Sequence, residues 1–89
     1  MQDIQKLLEE IIRYVGGIQN IVNATHCLTR LRLVLRDESL EEKEKLEDVK
    51  GVVMVVHAGS QVQIVITQQV GKVYDELCKI VGRGSVRTN

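Results

Sequence analysis

Between residues 30 and 36 the chain reads Arg-Leu-Arg-Leu-Val-Leu-Arg, with leucine at every second position and arginine at most of the others. Successive side chains of a strand point to opposite faces, so this run predicts a strand buried on its leucine face and open on its arginine face. One-sided burial argues against the doubly covered strands of a parallel sheet and for an antiparallel sheet with a single covered face.

The rest of the chain supplies the cover. Ile4, Leu7, Leu8, Ile11, Ile12 and Val15 recur at the spacing of one helix face, and Gly16-Gly17 follows as a stop signal. Ser39-Leu-Glu-Glu42 has the form of a capping box, predicting a short charged helix from there to about Asp48. Val52–Val56 and Val62–Ile66, parted by Ala58-Gly59-Ser60, read as a hairpin in which Val62, Ile64 and Ile66 share one face and Gln61 and Gln63 the other. A last helix over about Gln69 to Ile80 turns Val70, Val73, Tyr74, Leu77 and Val81 inward. The expected fold is therefore α+β, a four-stranded antiparallel sheet with three helices packed on one face. One domain is expected over 1–81, with a polar tail or linker over 82–89.

A chain of 89 residues has room for one small core and no enclosed cleft, so chemistry is expected near the surface. Twelve basic residues balance twelve acidic ones, and Tyr14 and Tyr74 are the only aromatics among Phe, Trp and Tyr. That leaves neither the field nor the stacking surface of a nucleic-acid module. No apolar run approaches the roughly 18 residues of a membrane span, and the opening residues do not form a signal peptide, so a cytoplasmic domain is expected.

Cys27 lies in the polar stretch Asn23-Ala-Thr-His-Cys27-Leu-Thr29, just before the arginine strand. Arg30 and Arg32 are two apart and leave the same face of that strand. Fixed positive charges favour the thiolate, the nucleophilic form, and the same guanidiniums could hold a phosphoryl group placed on the sulfur. The residues taken alone equally allow a small packed cysteine beside solvated arginines.

The run Asn23-Ala-Thr-His-Cys27-Leu-Thr29-Arg30-Leu-Arg32, continued by aliphatics to Asp37, resembles the phosphorylation signature of enzyme IIB domains of the bacterial sugar phosphotransferase system, in the glucose and sucrose superfamily. The glycine pair, Val49-Lys-Gly-Val52 and Gly59-Ser-Gln-Val-Gln63 extend the resemblance over nearly all of the chain before the tail. General features such as Thr25-His26-Cys27 are similar to the sucrose, trehalose, β-glucoside and N-acetylmuramic acid branch.

The resemblance implies that Cys27 accepts phosphate from a phosphohistidine on an enzyme IIA component and passes it to a sugar held by the membrane enzyme IIC. It implies that Arg30 and Arg32 serve these transfers, with Thr29 in the phosphate-binding turn and Gln63 beside it. No cofactor or metal is called for. The domain would work at the inner face of the membrane, associated with or fused to enzyme IIC. A non-catalytic regulatory module with the same cysteine loop is the alternative.

The remaining candidates are weaker. A cysteine phosphatase would place its arginine six residues after the cysteine and lead into a helix, unlike this spacing. A redox thiol would need a resolving partner, and Cys78 is expected in the core of the last helix. His26 and His57 are expected to be structural or exposed, and with Cys27 and Cys78 they lack the paired spacing of a zinc site. Cys27, Leu28 and Ala58 suggest a docking patch around the thiol.

Overall fold

The computed structural model describes residues 3–67 and 69–81. The expected tail over 82–89 lies outside the described residues. Helix α1 (Ile4–Tyr14) is capped by Asp3, whose carboxylate accepts from the Gln5 N–H at 2.9 Å. It buries Leu7, Leu8 and Ile11, as the spacing of its apolar residues requires. Its end is closed by Gly16 and Gly17, at φ of +104° and +95°, with the Gly17 N–H donating to the Ile12 carbonyl at 2.8 Å.

Strands β1 (Ile21–His26) and β2 (Arg30–Leu35) form the first hairpin, and β3 (Val52–Ala58) and β4 (Gln61–Ile66) the second. All pairings are antiparallel and the order is β1-β2-β4-β3, so β2 and β4 are central. Helix α2 (Lys43–Asp48) joins the hairpins and α3 (Val70–Val81) follows the second one. Leu31, Leu33, Leu35, Val55, Val62, Ile64 and Ile66 line the buried face of the sheet and pack with Leu7, Leu8, Ile11, Leu46, Val73 and Leu77 from the helices. The α+β architecture and its one-sided cover are those expected.

Two local expectations are corrected. Ser39 and Glu42 do not form a capping box. Asp37 takes both the N–H and the hydroxyl of Ser39, at 3.0 and 2.6 Å, and the chain makes a 3₁₀ turn over Glu38–Leu40. Glu42 has no capping bond of its own; its side chain pairs with Lys45, and α2 starts at Lys43. Cys78 is half-buried and lies outside the core cluster, because α3 buries the stripe Val70, Val73, Leu77 and Val81 and leaves Cys78 at its margin.

One buried polar residue ties the hairpin to α1. Asn20 is 3% exposed, and its Nδ2 donates to the carbonyls of Val15 and Asp37 at 2.7 and 2.9 Å. Its Oδ1 accepts from the Asp37 N–H at 2.8 Å. The side chain thus pairs the buried Val15 carbonyl at the end of α1 and ties it to the backbone of Asp37 just beyond β2.

Candidate active site

The face of the sheet turned away from the helices is ordered in rows by the strand register. Thr25, Arg32, Gln63 and Val56 form one row across the four strands. On the side of the connecting turn, Arg30 pairs with Val65 and Val65 with Met54. Cys27 completes that row, since its N–H donates to the Arg30 carbonyl at 3.0 Å. On the other side stand Asn23, Val34, Gln61 and Ala58.

Leu28 and Thr29 make the connection between the strands. Thr29 is held to the sheet, its carbonyl accepting from the Ile66 N–H at 3.2 Å. Its own N–H is turned to the Cys27 sulfur, and this is the strongest influence on the thiol. The Arg30 N–H and the Arg32 guanidinium also donate to the sulfur, and the Arg32 charge adds to them. Partial desolvation works against these donors but is outweighed, and the thiol falls from its usual 9.0 to about 7. Near neutral pH a large fraction of Cys27 is therefore thiolate on an accessible face.

The side chains of Arg30 and Arg32 divide. Arg32 faces the sulfur, and its Nε is a buried donor without a hydrogen-bond partner among the described residues. Arg30 donates from Nη1 to Gln63 Oε1 at 2.7 Å. Gln63, 7% exposed although it lies on the open face, passes its amide N–H on to Gln61 Oε1 at 3.1 Å. The fold thus brings Cys27, Thr29, Arg30, Arg32 and Gln63 to one end of one face. The Gln61 contact was not anticipated; its only sequence signal is that it shares a face with Gln63.

Other candidates separate from this cluster. His26 lies on the opposite side of β1, its ring 4.7 Å from that of Tyr74 on α3 and its Nδ1 donating to the Cys27 carbonyl at 3.0 Å. A carbonyl can only accept, so Nδ1 carries the proton in that contact. His57 pairs through Nε2 with Glu41, whose side chain is 5% exposed. Among the described residues no cluster of His, Cys, Asp or Glu could hold a metal ion. Leu28 is 96% exposed beside the thiol. Ala58 is not its neighbour: it pairs with Gln61 at the opposite corner of the face, and Val65 and half-exposed Met54 share the Cys27 row instead.

Residues 9–40 match the family described as phosphotransferase system, EIIB. The chain is 44% identical over 85 residues to the trehalose-specific EIIBC component of Bacillus subtilis, covering 94% of this chain and 18% of that protein. It is 42% identical over 80 residues to the sucrose-specific EIIBC component of Staphylococcus xylosus, covering 89% and 17%. Against the β-glucoside-specific EIIBCA component of Halalkalibacterium halodurans it is 38% identical over 78 residues, covering 88% and 12%. The chain thus spans less than a fifth of the length of these relatives. A crystal structure of one domain of the PTS system IIabc component from Clostridium difficile superposes with a TM-score of 0.78 at 28% identity, covering 97% of this chain and 86% of that one.

Proposed function

Because this chain belongs to the phosphotransferase system EIIB family, we propose that it carries a phosphoryl group on Cys27 between a phosphohistidine of an enzyme IIA component and a sugar bound by a membrane enzyme IIC. The observation that carries the reading is the lowered Cys27 thiol among the Thr29 and Arg30 N–H groups and the Arg32 guanidinium. In the first step the thiolate attacks phosphorus in line. The S–P bond forms, the P–N bond of the phosphohistidine breaks, and the imidazole leaves with the electron pair. The turn N–H groups and the two guanidiniums counter the charge on the transferring group, and the buried Arg32 Nε gains an acceptor. In the second step a sugar hydroxyl attacks the same phosphorus, its proton goes to a base on the membrane component, and Cys27 leaves as thiolate.

Donor and acceptor must both reach one sulfur, which suits an open sheet face with Leu28 projecting beside it. Among the described residues no helix is long and apolar enough to cross a membrane. The relatives join B and C parts in one chain, which supports a position at the cytoplasmic surface of the membrane, fused to or associated with enzyme IIC.

The test is intact-mass and peptide-mass analysis after incubation with phosphoenolpyruvate, the general phosphotransferase proteins and a matching IIA component. An adduct on Cys27, absent in Cys27→Ser and removed by membranes bearing the sugar permease and its sugar, is the expected result. No adduct with any of several IIA components would overturn the reading. An adduct that no sugar removes would replace it with a regulatory module.

A further inference from the structure

The Gln63 amide has one orientation that suits both of its neighbours. Arg30 offers only donors, so the Gln63 atom 2.7 Å from its Nη1 is the carbonyl oxygen. The amide nitrogen then faces Gln61, whose Oε1 accepts from it at 3.1 Å. With Gln63 7% exposed, a nitrogen deprived of that acceptor would have little water to turn to.

Gln61 is one row further from the thiol than Gln63, facing Val34 on β2 and Ala58 on β3. It does not meet the reacting sulfur; its reach toward the site runs through two hydrogen bonds. An arginine side chain is long and rich in rotamers, and anchoring one Nη leaves the rest of its fork free for an incoming anion while removing much of that freedom beforehand.

We propose that Gln61 is a positioning residue for the transfer proposed above: it fixes the Gln63 amide, which holds the Arg30 guanidinium on the Cys27 face. The inference rests on that reading of Cys27 for its purpose and on the two hydrogen bonds for its geometry. It separates the two arginines by role. Arg32 acts on the thiol itself, whereas Arg30 is kept in place by a chain that begins at the far end of the next strand.

Two variants of Gln61 test it. Gln61→Met keeps the length and removes the acceptor, and Gln61→Glu keeps the acceptor. The first measurement is nitrogen–proton NMR of the Arg30 guanidinium and the Gln63 carboxamide in the purified domain. The second is single-turnover phosphorylation of Cys27 by a phosphorylated IIA component. Gln61→Met should shift or broaden the Arg30 signals and slow phosphorylation by about threefold to tenfold, with the Cys27 titration midpoint unmoved. Gln61→Glu should restore the Arg30 signals. In an Arg30→Lys background, Gln61→Met should add a slowing of less than about twofold, because the two act as a unit.

Unchanged Arg30 signals in Gln61→Met would overturn the proposal, as would an undiminished slowing in the Arg30→Lys background. Failure of the NMR arm alone removes Gln61 and leaves the carrier reading standing. A wild-type domain that accepts no phosphoryl group removes the carrier reading, and with it any role for Gln61 in transfer.

Discussion

Arg30 donates to Gln63 at 2.7 Å, although the residue that faces Gln63 across the β2–β4 ladder is Arg32. The bond runs diagonally between strands, which leaves the Arg32 guanidinium for the sulfur.

The two arginines should therefore affect the thiol unequally. The Arg30 contribution to the sulfur is its backbone N–H, which any replacement but proline keeps. Alkylation of Cys27 by iodoacetamide, followed against pH, should rise with a midpoint near the wild-type value of about 7 in Arg30→Met. In Arg32→Met the midpoint should move up, yet stay below 9.0, because the Thr29 and Arg30 N–H donors remain. Equal midpoints in the two variants would contradict the assignment.

The same shift makes stability depend on pH in a defined window. The folded state favours the thiolate, so its contribution is fully present above the unfolded value of 9.0 and is lost as pH falls through about 7. Urea midpoints of wild type, compared with Cys27→Ala, should gain between about pH 7 and 9. A difference that is flat across that window would show that the folded thiol is not perturbed.

Asn20 should be far less replaceable than its surroundings suggest. Removing it strands the Val15 carbonyl and the Asp37 N–H, while the Asp37 carbonyl keeps the Leu40 N–H at 3.2 Å. A buried group left unpaired costs about 1–3 kcal/mol, and the Val15 carbonyl is the buried one of the two, so Asn20→Ala is expected to lose about 2–3 kcal/mol in urea unfolding. Asn20→Asp should be worse, since it keeps the acceptor for the Asp37 N–H but aims an oxygen at two carbonyls. A loss under about 1 kcal/mol for both variants would show that water replaces the side chain there.

Gly16 and Gly59 both have positive φ but differ in their space. At Gly59, φ is +61° and an added Cβ meets nothing within 4 Å, so Gly59→Ala should cost about 1–2 kcal/mol for the left-handed backbone alone. At Gly16, φ is +104° and a Cβ would lie 2.7 Å from Asn20 Nδ2 and 2.8 Å from Leu40 Cβ. Gly16→Ala should cost clearly more, because the clash falls on the Asn20 side chain that holds α1 to the sheet. Equal unfolding midpoints for the two variants would refute the steric part of this account.

How far the chain could be read without its structure follows from the range of each interaction. The alternation from Arg30 to Leu35 and the helical spacing from Ile4 to Val15 are local, and each fixes which side of its element is buried. With them came the shared face of Arg30 and Arg32, and with the turn residues the place of Cys27 beside it. Ser39 and Glu42 show where local reading stops. Their spacing fits a capping box, but Asp37, Lys45 and Tyr14 supply other partners that the spacing does not encode.

What the sequence by itself determined is the inventory and its two faces: a one-sided strand, a cysteine turn, a pair of arginines and a pair of glutamines. Only the tertiary structure decided the order β1-β2-β4-β3, and that order sets Gln63 opposite Arg32 while sending Ala58 to the corner away from Cys27. The reason is physical. Periodicity records which side of an element meets the core, whereas the register between strands distant in sequence, and the bonds of single polar side chains such as Asn20 and Gln61, exist only once the chain has closed on itself.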